Sequence, residues 1–492
     1  MKNILTRLPL ALLLMVSAFT FQTCATNPVT GKKQIVFTSE EKEIEMGKAY
    51  DPQVVAEMGL YDNPTMQRFI SEKGMAMART SHRPNLPWSF KLVDSPVVNA
   101  FAVPGGFVYF TRGIMAHFNN EAQFAGVLGH EIGHVTARHT VVQQSKQTLG
   151  QIGLIGGMIL SPELASQGET AMQAMQLLFL KYGRDAESQS DKLGVEYSTA
   201  VGYDAKEMAG FFSTLDRLSG GSENRTPTFL STHPDPLNRE SRVQELAIQY
   251  QAANTNTQKY DVGRDRYLRL IDGMMYGEDP NQGFVESGAF YHPQLRFQFS
   301  IPRQWKLINS PSMVQMVSPD QKSIMQMKLA QGSDPQAAAR SFLQETKLQN
   351  VRSNNNAING LQATTVLGDI VQQDQQTGRT QTIRVEAAFI AYGGNIYMML
   401  GMALPQDFNR YQRDIEGAIN SFAELRDQSK LNRQPERIKI VTNNRQQTLQ
   451  QALSGAGIPQ DRMNEFAILN GMELRETLPS GMLFKAISGG RK

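Results

Sequence analysis

Phe124-Ala125-Gly126-Val127-Leu128-Gly129-His130-Glu131-Ile132-Gly133-His134-Val135 is an apolar run that carries two histidines four residues apart, with a glutamate beside the first. On a helix, residues four apart lie on one face. The imidazoles of His130 and His134 therefore project together, and two Nε2 atoms can share one metal ion. Glu131 then stands beside that metal, where it can take a proton from water. Only seven histidines occur in 492 residues, so histidine abundance does not account for this spacing. Two helix-surface imidazoles and a solvated glutamate would be the plain alternative, and the apolar residues on either side argue against it.

A catalytic zinc site needs a third protein ligand and an open position. In the pattern H-E-x-x-H-x-x-G-x-x-H the ligand would follow shortly after His134, but the required places hold Ala137 and Thr140. His139 is one residue out of register and is expected to point off the metal face. The remaining solution is a glutamate from a later helix. Arg184-Asp185-Ala186-Glu187-Ser188-Gln189-Ser190-Asp191 offers Glu187, with Asp191 one turn on. Glu187 would complete a His-His-Glu set for one Zn2+ per chain. Asp191 would accept the other ring N–H of a ligand histidine. Read alone, this spacing is equally an exposed acidic helix face. Upstream, Val97–Val103 and Phe107–Thr111 flank Pro104-Gly105-Gly106 like a hairpin.

The stretch from Asn99-Ala100-Phe101-Ala102-Val103-Pro104-Gly105-Gly106 through the zinc helix to Arg184-Asp185-Ala186-Glu187 resembles the BepA-like zinc metalloproteases. These are gluzincin peptidases of the bacterial envelope, related to the Ste- and Oma-type membrane proteases. The resemblance covers roughly Pro28 to Gly277, about half of the chain. It implies a mainly helical domain in which a small sheet packs on two zinc helices. It also implies an edge strand, Asn99, Ala100 and Phe101 onward to Val103, that pairs with the substrate backbone. The family's H-P-x-x-x-x-R stretch is matched by His233-Pro234-Asp235-Pro236-Leu237-Asn238-Arg239. His233 could fill the open coordination position and hold the enzyme off, or donate to an oxyanion. Equally, it could cap a turn before a helix beginning near Pro236. Arg239 reads as an oxyanion or carboxylate contact.

Lys2 and Arg7, the apolar run Leu8–Phe21 and then Cys24 form a signal-peptide pattern too short to span a bilayer. The single cysteine after that run resembles a lipoprotein signal, with Cys24 as the lipidated residue, although Thr23 departs from the usual small residues before it. Lipidation would hold the chain at a membrane surface, with the outer membrane expected. No disulfide is available. Lys and Arg number 49 against 46 Asp and Glu, and no basic stripe argues for nucleic acid.

The expected fold class is α+β. Residues 1–23 are the signal, 24–277 the protease domain and 278–290 a linker. Residues 291–425 form an antiparallel α+β domain faintly similar to PsbP/Mog-like domains, 426–434 a second linker, and 435–492 a module similar to LysM. Strands are expected at Leu295–Ile301, Ser323–Ala330, Gly360–Gln372, Thr380–Tyr392 and Asn395–Leu404, and helices at Asp334–Thr346 and Pro405–Leu425. The expected partners are unfolded or misassembled envelope polypeptides, with peptidoglycan reached through the last module. The rival readings are an envelope scaffold with an idle zinc site and a peptidase of cell-wall peptides.

Overall fold

A computed structural model describes residues 24–145, 181–220, 228–233, 239–253, 259–373 and 380–490, which form two compact units. The apolar insert at Leu149–Leu160, the run Leu177–Leu180 and the helix start near Pro236 lie outside the described residues.

The first unit takes in residues up to Val55, Gly59–Tyr276 and Arg437–Ser488. It begins with an antiparallel pair, β1 (Cys24–Thr26) and β2 (Lys33–Ile35), followed by α1 (Glu40–Met58) and α2 (Pro64–Ala78). Ser39 and Asn63 cap these helices, each side chain accepting a backbone N–H of the first turn. A three-stranded sheet follows, built from β3 (Ser89–Val93), β4 (Ala100–Val103) and β5 (Phe107–Thr111). β5 is central, parallel to β3 and antiparallel to β4, which is left on an edge. The turn between β4 and β5 needs glycine at Gly105, whose φ is +86°. A Cβ there would also meet the backbone oxygen of Glu43 at 2.7 Å. The hairpin's first strand is shorter than expected. At Asn99 the Thr111 hydroxyl takes the place of a ladder partner, accepting the Asn99 N–H at 3.2 Å.

α3 (Arg112–His117) leads into α4 (Glu121–Thr136), which is capped by Asn120 and buried along its whole length. Burial on every side explains why this sequence is apolar all round rather than striped. The unit continues with α5 (Arg184–Ala200), α6 (Glu207–Ser219), α7 (Thr228–Thr232), α8 (Arg239–Ala253), α9 (Arg264–Ile271) and β6 (Met275–Tyr276). α4 and α5 approach closely because glycines face each other: a Cβ on Gly194 would lie 2.9 Å from the Gly126 oxygen, and one on Gly129 3.0 Å from the Gly194 Cα.

The second unit is essentially Gly277–Glu436. It has β7 (Phe284–Glu286), β8 (Ala289–His292), β9 (Phe297–Ser300), β10 (Lys306–Asn309), β11 (Val314–Val317) and β12 (Ser323–Ala330). Then come α10 (Pro335–Thr346), β13 (Gln349–Asn354), β14 (Ala363–Gln373), β15 (Thr380–Tyr392), β16 (Asn395–Ala403), α11 (Pro405–Asn420), β17 (Ala423–Glu424) and α12 (Gln428–Leu431). A seven-stranded antiparallel sheet runs β10-β11-β12-β16-β15-β14-β13, beside a four-stranded one ordered β17-β9-β8-β7. Along β15, Ala388 and Ile390 join a core with Ile415 of α11, while Ala387 and Phe389 join another with Ala338 of α10. Helices cover both faces, so both sets of alternating residues are apolar. The helix expected to reach Leu425 stops at Asn420, where the chain turns to pair Ala423 with Gln298. The expected linker at 426–434 is packed down, with Lys430 on Glu286 and the Arg433 guanidinium 4.1 Å from the Phe284 ring centre.

The C-terminal residues form β18 (Glu436–Thr442), β19 (Gln447–Thr448), α13 (Leu449–Gly455), α14 (Met463–Leu469), β20 (Thr477–Leu478) and β21 (Leu483–Gly489). A separate module is expected here from sequence, but residues 437–488 share the first unit. β21 and β18 extend a sheet onto β6. Phe466, Leu469 and Phe484 join the core that holds Phe118 and Phe124.

Candidate metal centre

His130, Glu131 and His134 lie on α4, and Glu187 and Asp191 on the facing α5. The glycine contacts described above bring these two backbones close enough for short side chains to meet. His130 Nε2 is 3.0 Å from His134 Nε2. Glu187 places one oxygen 3.5 Å from His130 Nε2 and the other 3.4 Å from His134 Nε2. His233 follows α7 and puts its Nδ1 3.2 Å from His130 Nε2 and 3.1 Å from Glu187. These four side chains are buried and form the one group of potential metal ligands found among the described residues.

The spacing fits a tetrahedral divalent cation. Donors held at about 2.0–2.1 Å from a zinc-sized ion stand about 3.4 Å from one another, and every separation above is close to that edge. The chemistry fits as well. Ring nitrogens and carboxylate oxygens face each other with their lone pairs, and a Glu187 oxygen is buried without a hydrogen-bond partner. A cation at the centre would satisfy it.

Around this group, Asp191 Oδ1 lies 3.0 Å from His130 Nδ1. Arg239 Nη2 donates to the same oxygen at 2.6 Å and stands 3.3 Å from Glu187. Arg242 donates to the other Asp191 oxygen at 2.5 Å. Arg239 is thus a carboxylate contact, its guanidinium lying over the Phe212 ring at 4.1 Å. Glu131 is 1% exposed, with one oxygen unpartnered and 3.6 Å from His233 Nε2.

Burial pushes the Glu131 carboxyl above its usual range, against the pull of His233 and His130. Burial acts the same way on Glu187 and Asp191. In Glu187 the positive field of His233 wins, and in Asp191 the Arg239 charge does, so both are held low. Burial lowers His134. It also works against protonation of His233, which Glu187 and Glu131 nevertheless raise.

The expected substrate strand is β4, on the sheet edge. Asn99 precedes it, and Asn99, Ala100 and Phe101 are all buried. The Phe229 N–H of α7 donates to Val98 O at 3.1 Å, and the Phe229 ring stacks on His233 at 4.5 Å. Cys24 lies far along the chain, in β1 opposite Ile35. Arg184 is exposed at the start of α5.

Three neighbours of the centre escape a reading of the sequence. The Tyr182 ring lies 4.0 Å from that of His134 and its hydroxyl meets Thr140 at 2.9 Å. Arg242 carries one usable signal, its place one turn beyond Arg239. His139, read from sequence as pointing off the metal face, meets the far side of His134, a contact that helical spacing does not announce because Arg138 interrupts the helix.

Residues 64–247 match the family model described as Peptidase family M48. The beta-barrel assembly-enhancing protease of Yersinia pestis is 30% identical over 254 residues, covering 49% of this chain and 51% of its own. The mitochondrial metalloendopeptidase OMA1 of Arabidopsis thaliana is 28% identical over 194 residues, 39% of this chain and 38% of its own. The chain therefore spans about half, or less, of the length of these curated relatives. Among solved structures, the cyanobacterial PsbP of Synechocystis aligns over 29% of this chain and 96% of its own. Its 9% identity and TM-score of 0.21 carry no argument about fold.

Proposed function

From the match of residues 64–247 to Peptidase family M48 we propose that this protein is a zinc-dependent endopeptidase of the bacterial envelope that hydrolyses unfolded or misassembled polypeptides. The observation that carries the reading is the convergence of His130 Nε2, His134 Nε2 and the Glu187 carboxylate within 3.5 Å of one another, with buried Glu131 beside them. A set of two imidazoles and one carboxylate suits zinc, a borderline-soft ion. When bound, zinc polarises a scissile carbonyl and lowers the pKa of a water to about 7.

The chain's own residues do the rest. Glu131, whose carboxyl is raised by burial, takes the proton from the attacking water and returns it to the leaving amine. Asp191, itself gripped by Arg239 and Arg242, fixes the ring of His130. β4, the edge strand of its sheet, is where an extended substrate backbone would pair. Phe229 bonds to the residue just before Asn99 and His233 lies within the ligand set, so α7 would have to shift for a substrate to reach that end of β4, whether His233 then leaves the centre or stays as a donor.

Lipidation at Cys24 would hold the enzyme on the periplasmic side of a membrane, and no described helix is long and apolar enough to cross one. An envelope polypeptide as substrate is favoured by the name of the Yersinia pestis relative. The strand-helix-helix-strand order at 436–489 leaves a LysM-like contact with peptidoglycan open as a secondary role.

The test is hydrolysis of unfolded casein by the purified full-length chain, with its metal content measured alongside. Wild type should cleave and lose activity to a chelator. Glu131→Gln should keep its zinc and lose at least about a hundredfold in rate, the scale of general-base catalysis. Wild-type hydrolysis by Glu131→Gln would end this mechanism. Cleavage of peptidoglycan peptides but not casein would replace the substrate class.

A further inference from the structure

His139 is absent from the ligand group, yet it is buried against it. α4 ends at Thr136, and the helical path is interrupted at Arg138, which adopts a left-handed conformation with φ +62°. Strain of that kind in a non-glycine residue needs support from its surroundings. Here the Arg138 side chain binds Glu43 and donates to Thr38 O at 2.6 Å. Residues 139–145 are helical again, and His139 lies on the face of His134 that points away from the ligand group.

His139 Nδ1 lies 3.1 Å from His134 Nδ1, and His139 Nε2 lies 3.0 Å from the Gln189 side-chain oxygen. The Ser190 hydroxyl is 3.2 Å from the same Nδ1. One hydrogen assignment is consistent with these contacts and with a metal-facing Nε2 on His134. His134 Nε2 faces His130 and Glu187 and must keep its lone pair toward a metal, so the His134 hydrogen sits on Nδ1 and is donated to His139 Nδ1. His139 then carries its own hydrogen on Nε2 and donates it to Gln189, whose oxygen can only accept. Ser190 shares the accepting lone pair of His139 Nδ1.

We infer that His139 is a positioning residue, a neutral imidazole that fixes the tautomer and ring orientation of His134 and ties them to α5 through Gln189 and Ser190. The inference rests on the reading that His134 ligates zinc through Nε2. The two ligand histidines are then supported differently: His130 by the anionic Asp191 at 3.0 Å, His134 by an uncharged ring. Gln189 and Ser190 stand two and three residues after Glu187. The support of the second ligand therefore returns to the helix that carries the third, and a shift of either helix disturbs both.

The experiment measures zinc affinity of the full-length chain by competition with a chromophoric chelator, together with the visible spectrum of the cobalt-loaded protein and the melting midpoint. His139→Ala should weaken zinc binding about 10- to 100-fold, the range for loss of a ligand's hydrogen-bond partner, and should alter the cobalt spectrum. His139→Asn, which keeps an acceptor near the Nδ1 position, should recover most of that affinity. Gln189→Leu leaves the His139 ring in place and removes only its acceptor. It should weaken zinc by a smaller factor, and it keeps the test decisive if His139→Ala does not fold. Unchanged zinc affinity and spectrum in folded His139→Ala, or in Gln189→Leu, would overturn the inference while leaving the protease reading intact. A wild-type chain that takes up no zinc would overturn both.

Discussion

At the scale of single residues, the side chain of His233 faces two ways. Its Nδ1 sits in the ligand group and its Nε2 faces Glu131 at 3.6 Å. As a fourth ligand it would block the position that substrate and water need. As a donor it would stabilise the oxyanion, and such donors are worth about 10²–10³ in rate. The sign of one substitution separates the two. With Nδ1 inside the ligand set, His233→Ala should open the position and raise casein hydrolysis, by about tenfold if the closed form is favoured by about 1.4 kcal/mol. A hundredfold fall would mark His233 as a donor instead. Which of these applies is not legible from H-P-x-x-x-x-R, because the motif gives residue types and not which ring nitrogen turns inward. The main set is more legible: H-E-x-x-H on an apolar helix names three residues by spacing, and Glu187 with Asp191, an ordinary acidic face when read alone, gains meaning beside that motif. The contact of His139 with His134 is hidden by the left-handed backbone of Arg138, a state that no spacing rule announces.

At the scale of elements, the metal centre depends on how closely α4 and α5 approach. Gly194 is the contact point: an added Cβ would stand 2.9 Å from the Gly126 backbone oxygen and 3.2 Å from the His130 backbone nitrogen. Gly194→Ala should therefore push the helices apart, cost about 1–3 kcal/mol as overpacking does, and weaken metal binding. The melting midpoint and the zinc affinity should fall together, and a variant with both unchanged would show that the crossing has slack. In the second unit, β15 carries Glu386, which is 8% exposed and has a carboxylate oxygen without a partner. Burial, followed by the nearby charge of Glu416, pushes its pKa up to about 7. A raised carboxyl favours the folded state at low pH, where it is protonated in both folded and unfolded chains at no penalty. That stability is complete below the ordinary value of 4.5 and is lost as pH rises through about 7. The loss is about 3 kcal/mol at about 1.4 kcal/mol per unit. Urea unfolding of this unit should weaken between about pH 5 and 8 on that scale, and Glu386→Gln should flatten the trend. The strand itself is readable from its run of β formers, whereas β13, exposed throughout and polar but for Val351, offers no buried face for a pattern to reveal.

At the scale of the whole molecule, the C-terminal residues are the part that sequence order alone misplaces. Two short helices between two strands look self-contained, and nothing in 437–488 signals a partner 369 positions earlier. The structure supplies it through Lys485, which is fully buried and donates to the backbone oxygens of Ala116, Phe118 and Leu469 at 2.7–2.8 Å. The first two oxygens lie at the end of α3, just before the helix that carries His130 and His134. Burial drives the Lys485 pKa well below the usual lysine range, and the three carbonyls offset part of that penalty. Removing the amine leaves these oxygens buried without a donor, at about 1–3 kcal/mol for an unsatisfied group. Lys485→Met should therefore lower the melting midpoint of the full chain, and cleavage of casein should fail at a lower temperature than in wild type. Deleting everything after Glu436 would go further, stripping β18 and β21 from β6 and uncovering the core around Phe118. That truncated chain should be insoluble or lose its cooperative transition. If it instead kept the wild-type midpoint, zinc content and casein rate, residues 437–488 would be a detachable accessory, and the unit that holds the metal centre would have to be redrawn without them.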